Sequence, residues 1–338
     1  MTVTLKHSAK LVALVIGCLA VLFIALLLTG VPPSQTVKDF FVGSLGSMDA
    51  IGGTLQEATP LLILGAGVFL ALRAGLFNIG IDGQFTMGAV VATAISLKVP
   101  GALGIVLAVI GGMAAGAAWA LPAGLIRAYR GGHEVITTIM LNNVAGLLTG
   151  WLVSGPMIAP RADAPMTAEL APSSYLPDVM HTAQWRVSSA LVVGVLIVFA
   201  LGYWLKRTVA GYELQAVGAN ARAAEFAGVN SKRVIVRAMA ASGAIGGLAG
   251  AFQVLAFTHQ FYEHYSPGYG FDALGVALLA AGAPIMLLPA AFFFGMLSKG
   301  GTFIAINGVP KGITYLVLGV LIIVTAAIRY RKAKVAHD

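Results

Sequence analysis

The segment GGHEVITT, Gly131 to Thr138, carries a His–Glu pair of the kind that opens a zinc-protease helix. That chemistry needs a second His one helical turn later, so that both imidazoles face one metal. Thr137 holds that position, and the zinc reading fails. His133 and Glu134 read instead as the start of a membrane span, where a Glu complements the helix dipole. No Gly-x-x-x-x-Gly-Lys-Ser/Thr sequence is present, so no P-loop holds ATP. No Ser, His and Asp stand in an arrangement suited to acyl transfer, and the six His are scattered. Neither a catalytic site, a metal nor a cofactor is expected.

What remains is a set of amides and carboxylates inside apolar runs: Gln56, Glu57, Asp82, Gln84, Asn142, Asn143, Gln253 and Asp272. Each is costly in hydrocarbon and belongs in a bundle interior or beside a water-filled route. Asn142 and Asn143 are adjacent, so on a helix they point about 100° apart, and at least one faces inward. Two readings stand: an interhelical hydrogen bond, or a polar lining for a solute. Asn142, Asn143 and Gln84 are the candidate solute contacts. Glu57 and Asp272 fall near the outer boundary, where they reach water.

The elements that must position these groups follow from composition. Hydrophobic residues make up 58% of the 338 and charged residues 10%, against roughly 25% charged in a soluble domain. Mean hydropathy is +0.89. A soluble exterior cannot be wetted with so few charges, so the fold class is an all-α integral membrane protein, a single domain over residues 1–338. Spans are predicted near 11–30, 52–72, 80–97, 102–126, 134–154, 188–205, 234–257, 270–283, 285–298 and 312–328. The pair 270–283 and 285–298 is short, and reads as two short helices or one re-entrant hairpin. The only cysteine, Cys18, lies in a lipobox-like VIGCLA. The apolar run continues past it to Gly30, as a retained first span does and a cleaved signal does not.

Ten spans put both termini on one side. That side carries 15 of the 21 Lys and Arg, so the termini are expected in the cytoplasm. The net charge of +8 is thus a topology signal. No basic folded domain is left to bind nucleic acid.

Two loops are long enough to have a task. The outer loop, 155–187, reads either as a cover packed over the outer mouth or as a docking surface. The inner loop, 206–233, centres on NARAAEFAG, a short helix with Asn220 as its cap, Arg222 and Glu225 one turn apart, and Gly228 as its stop. Its small-residue surface around Phe226 suits a knob for another protein's groove better than burial in lipid.

Between the second and third spans lies GLFNIGIDGQF, Gly75 to Phe85. Its glycines permit a tight irregular backbone, and Asn78 or Asp82 is placed to cap the new helix. Broken backbone at membrane depth needs cover from protein or water. GYGFDALG, Gly268 to Gly275, echoes it five spans later, in the opposite topology. That is the pattern of inverted repeats.

Four segments together resemble nucleoside-type importer permeases of the ATP-binding-cassette (ABC) class, in the superfamily of ribose and branched-chain amino-acid permeases. They are EATPLLILGAGVFLALRAGLFNIGIDGQFTMGA, HEVITTIMLNNVAGLL, TVAGYELQAVGANARAAEFAGVN and SPGYGFDALGVALL, in the family's order across about residues 55–330. The chain departs from the family at Ala221, where NPRAA is common, and at AAGAPIM after the eighth span. The resemblance implies a cobalamin-importer type of fold with about ten spans. It also implies a separate cytoplasmic ABC ATPase, a second permease subunit, commonly a different chain, and an extracytoplasmic solute-binding protein. The location it implies is a bacterial inner membrane. On it, Tyr212, Glu213, Gln215, Gly218, Asn220, Arg222, Ala224, Phe226 and Gly228 form the ATPase-coupling segment. Nucleosides or related ribosyl or base compounds are the implied solutes, with simple sugars as the alternative. An ion-coupled transporter is a further reading, in which Asp82 or Glu57 carries the ion.

Overall fold

The computed structural model describes residues 32–160, 163–181, 186–280 and 282–310, with the isolated positions 312, 316 and 319. The expected first span, with Cys18, lies outside the described residues, and the last span lies almost wholly so.

Eleven α-helices occur among the described residues: α1 (Pro33–Leu45), α2 (Met48–Arg73), α3 (Ile81–Lys98), α4 (Ala102–Arg130), α5 (Glu134–Ser154), α6 (Ser189–Arg207), α7 (Val209–Ala219), α8 (Ala221–Phe226), α9 (Ser231–Gln253), α10 (Tyr269–Leu279) and α11 (Leu287–Ile306). A π-helical turn, Val254–Thr258, extends α9. One antiparallel strand pair, β1 (Asp178–His181) and β2 (Arg186–Ser188), lies in the outer loop.

Among the described residues, six helices are long and apolar enough to cross a bilayer: α2, α4, α5, α6, α9 with its π turn, and the stretch Pro284–Ile306 that contains α11. The protein is therefore a mostly helical, multi-pass membrane protein. Local chemistry sets the ends. Gly131, in the left-handed region at φ 66°, stops α4 after Arg127 and Arg130, whose charges complement its C-terminus. Ser188 caps α6 by accepting from the Ala190 amide at 3.2 Å, and Asn230 caps α9 by accepting from Arg233 at 3.0 Å.

The chain forms two compact units. The smaller contains α1, the first part of α2 up to Ala58, and α11 from Phe292 onward. In it the Ser298 hydroxyl donates to Glu57 Oε2 at 3.0 Å, so Glu57 has a protein partner where water was expected. The expected short span 285–298 is corrected here. Gly300 and Gly301 follow Ser298 but do not end the helix: Lys299 lies along the side of Gly53, and the helix continues to Ile306 before Gly308 turns at φ 93°.

The larger unit is built round α3. At 18 residues α3 measures about 27 Å, but Asp82, Gln84, Thr86, Thr93 and Ser96 make it too polar to face lipid. Instead α4, α9 and α5 surround it. Thr86 and Thr93 return their hydroxyls to carbonyls four residues back. Along α4 and α9 the backbones meet directly: a Cβ on Gly116 would sit 2.7 Å from the Gly247 amide nitrogen. Small residues allow this approach, and close packing is the main attraction between helices in lipid. α10, at 11 residues or about 16 Å, is too short to span. The two expected short helices at 270–298 thus become one short helix and one full-length one.

Candidate functional site

α2 ends in a sharp elbow. The Gly75 amide donates to Leu72 O at 3.1 Å and the Leu76 amide to Ala71 O at 3.0 Å, with Gly75 at φ 72°. This is the Schellman arrangement, which needs a residue without Cβ strain at that point. Leu76 is buried behind it. Residues 76–80 then lead into α3.

Below the elbow lies a sealed polar knot. Asn78 Nδ2 donates to Gln84 Oε1 and to Ser242 Oγ, both at 2.8 Å. Gln84 Nε2 returns a bond to Asn78 Oδ1 at 3.1 Å, and Ser242 donates to Gly67 O at 2.8 Å. Asn78, Gln84 and Ser242 are all buried. One amide pair and one hydroxyl therefore tie the elbow, α3, α9 and α2. Gln84, a candidate solute contact, is occupied inside this knot.

Neither Asn78 nor Asp82 caps α3, contrary to the expectation from sequence. Gly80 stands at the N-cap with no side-chain bond. The cap comes from another helix: Asn142 Oδ1 on α5 accepts from the Gly83 amide, and its Nδ2 donates to Ile79 O, each at 2.9 Å. Both ends of that amide are used. Asn143 is exposed and donates to Ile139 O on its own helix. Of the three candidate solute contacts, Asn143 alone presents its amide at the surface.

Asp82 works across the echo motif. Its Oδ1 accepts from the Ser266 hydroxyl at 2.6 Å and from the Gly270 amide at 2.9 Å, so it caps α10. The two similar segments meet at this carboxylate. At the start of α5, buried Glu134 pairs with Arg127 Nε at 3.2 Å, and its other oxygen faces the Phe77 amide at 3.5 Å.

The loop 206–233 folds as two helices where one was expected. Thr208 caps α7 through the Gly211 amide at 3.0 Å, and Asn220 caps α8 through the Ala223 amide at 3.0 Å. Gly228 turns at φ 87°. The nine residues expected to form the coupling segment separate by surroundings. Tyr212 is 70% and Phe226 95% exposed, and Arg222 is exposed beside them. Glu213 is half-buried and Ala224 buried. Gln215 Nε2 bonds to Leu205 O at 2.8 Å and Gly211 O at 3.1 Å, and Gly218 packs on the elbow. Tyr212, Arg222 and Phe226 thus present a surface, whereas Gln215, Gly218, Asn220, Ala224 and Gly228 shape it.

Residues 50–326 match the family described as "Branched-chain amino acid transport system / permease component". The chain belongs to this family. It is 31% identical to the guanosine ABC transporter permease protein NupP of Bacillus subtilis, covering 96% of this chain and 95% of the relative. It is also 31% identical to the glucose ABC transporter permease protein TsgB13 of Haloferax volcanii, over 94% of this chain and 87% of the relative. Identity to the nucleoside ABC transporter permease protein NupB of Lactococcus lactis is again 31%, with 94% and 90% covered. No solved structure matches.

In this permease the loop 155–187 packs as a strap over the chain that follows α9. The amides of Thr167, Leu170 and Leu176 donate to the carbonyls of Phe261, His259 and Leu255, each at 2.8 Å. Tyr175 stacks on His259 with ring centroids 3.5 Å apart. Burial, then the charge of Arg186, pushes the His259 imidazole below its usual range. Neither the strap pairing nor the cap by Asn142 was found from sequence. Each joins positions tens of residues apart, and no local spacing records it.

Proposed function

We propose that this chain is the membrane-spanning subunit of an ATP-driven importer for nucleosides or related ribosyl or base compounds. The observation that carries this reading is the exposed knob of α7 and α8. Phe226 stands almost fully free on a six-residue helix whose other residues are three alanines, Arg222 and Glu225. An exposed aromatic among small residues fits a groove in a soluble partner. A surface meant for lipid would carry several large apolar groups. That partner is a cytoplasmic ABC ATPase. The names of the guanosine and nucleoside relatives support the solute class.

The rest of the assembly follows from this reading. The chain is one permease domain of about ten spans, of the cobalamin-importer type, with inverted repeats that meet at Asp82 and Gly270. It lies in a bacterial inner membrane with both termini in the cytoplasm. A second permease subunit completes the solute path, and an extracytoplasmic binding protein delivers the solute. Asn143, on the exposed face of α5 among Met140, Val144 and Leu147, offers its amide to hydroxyls or ring nitrogens of the solute. Asn142 and Gln84 hold the frame beside it. ATP hydrolysis in the partner displaces α8, and the bundle exchanges outward and inward openings.

The test is reconstitution. Phe226→Ser should insert in the membrane as the wild type does, yet lose co-purification of the ATPase and ATP-dependent uptake of labelled nucleoside. Uptake by the purified chain alone in liposomes, with no ATPase present, would overturn the proposal. A second reading, a simple-sugar permease, draws on the glucose relative. It predicts that glucose, and not guanosine, competes for uptake.

A further inference from the structure

Gly218 lies in the last turn of α7, just before α8 begins. A Cβ placed there would collide with the carbonyl oxygen of Arg73 and would lie 2.9 Å from its carbonyl carbon and 3.0 Å from that of Ala74. Reciprocally, a Cβ on Gly75 would lie 3.2 Å from Gly218 O and 3.3 Å from Gly218 Cα. Two backbones therefore touch with no side chain between them, at the elbow where α2 turns toward α3.

The contact has stiff structure on both sides. Toward the surface, α7 is held to the end of α6 by Gln215, which bonds Leu205 O, and by Gly211, where a Cβ would lie 2.7 Å from Leu205 Cα. α8 is held to α9, because Ser231 Oγ donates to Ala221 O at 3.1 Å. Toward the interior, two residues separate Gly75 from Asn78, the centre of the buried knot that binds Gln84, Ser242 and, through Ser242, α2. Backbone atoms cannot swing aside as side-chain ends can. A displacement of α7 therefore moves the elbow with it.

We infer that the Gly218–Gly75 contact is a rigid joint that carries displacement of the α7–α8 knob to the Asn78 knot at the root of α3. Gly218 is a positioning residue: it touches neither the soluble partner nor the solute. The inference rests on the coupling role proposed for the knob, and the two fail separately. If the knob reading is wrong, Phe226→Ser leaves ATPase association intact. If the joint is wrong, Gly218→Ala transports normally.

The experiment uses the complete importer in proteoliposomes. Gly218→Ala is expected to insert, to retain its ATPase and to hydrolyse ATP, while uptake per ATP hydrolysed is lost. Normal uptake per ATP by this variant overturns the joint. Should Gly218→Ala fail to accumulate, spin labels decide the matter. Cysteines replace exposed Val209 on α7, Phe77 on the elbow and Leu103 at the start of α4, in pairs, with Cys18→Ser as background. Between nucleotide-free and nucleotide-trapped importer, an unchanged Val209–Phe77 separation with a changed Val209–Leu103 separation supports the joint. A changed Val209–Phe77 separation, or no change in either, overturns it.

Discussion

Asp82 and Gly270 are 188 residues apart, yet the Asp82 carboxylate accepts the Gly270 amide at 2.9 Å. The approach is so close that a Cβ on Gly270 would lie 2.5 Å from Asp82 Cβ and 2.9 Å from the Asp82 amide nitrogen. The first turn of α3 and the first turn of α10 are thereby fixed to one another. A carboxylate with these two donors serves as a cap, and a coupling ion would have to displace Ser266 or Gly270 to reach the same oxygen.

This relationship predicts two losses of unequal kind. Asp82→Leu removes a charged acceptor from two donors and should cost about 1.5–3 kcal/mol. Gly270→Ala forces backbone apart and should cost about 1–3 kcal/mol by overpacking. Asp82→Asn keeps an acceptor oxygen and should retain most of the stability. Thermal unfolding of the purified protein in detergent checks all three. Equal stability of Asp82→Leu and wild type would remove the cap.

The adjacent asparagines should behave oppositely. Asn142→Leu leaves the Gly83 amide and the Ile79 carbonyl without their partner, at about 1–3 kcal/mol each where buried. Asn143→Ala loses only a bond to its own helix and should change stability by no more than about 0.5 kcal/mol. Its effect should appear in solute affinity, measured as the concentration dependence of uptake. A destabilised Asn143→Ala with unchanged affinity would reverse the assignment.

Much of this division lay beyond the sequence for a definite reason. The span 134–154 was legible to the residue, because Glu134 opens it and Gly155 follows it. So were the Asn220 cap and the Gly228 stop, both set by near neighbours. The polarity of Asn78, Asp82, Gln84 and Asn142 was legible too. Which partner each would choose was not, since Asn142 and Asp82 satisfy helix starts 59 and 188 residues away. α1 was missed because a 13-residue helix with six polar residues and a glycine has neither the length of a span nor a clean apolar stripe. The packing of Gly218 on Gly75 was not legible either, because it joins two backbones far apart in the chain.

The buried knot should show non-additive energetics. Gln84→Leu alone leaves Asn78 with unsatisfied amide groups, and Asn78→Leu alone does the same to Gln84. The double variant strands neither partner, so its cost should fall below the sum of the singles by about 0.5–3 kcal/mol. Ser242→Ala, which removes one interhelical hydroxyl, should cost near the average of about 0.6 kcal/mol for such bonds in a membrane protein. Unfolding in mixed micelles supplies the four free energies of the cycle. Simple additivity would mean that the two amides do not depend on one another.

The strap over the π turn should weaken in acid. His259 has a buried Nδ1 with no hydrogen-bond partner. Its imidazole is held below the usual range by burial and by Arg186, against the opposite pull of Glu169 and Asp178. With the folded value depressed, the unfolded strap binds the proton more readily than the folded one. Stability contributed by neutral His259 is thus complete above the ordinary imidazole value of about 6.5. It declines as pH falls from there toward the depressed value, and levels off below that. Hydrogen exchange at the amides of Thr167, Leu170 and Leu176, which the strap protects, should accelerate across that window beyond the intrinsic pH trend. His259→Asn tolerates the left-handed backbone at φ 55° and carries no titrating group. It should abolish the acid-dependent excess, and an excess that survives in this variant would show that His259 is not its source.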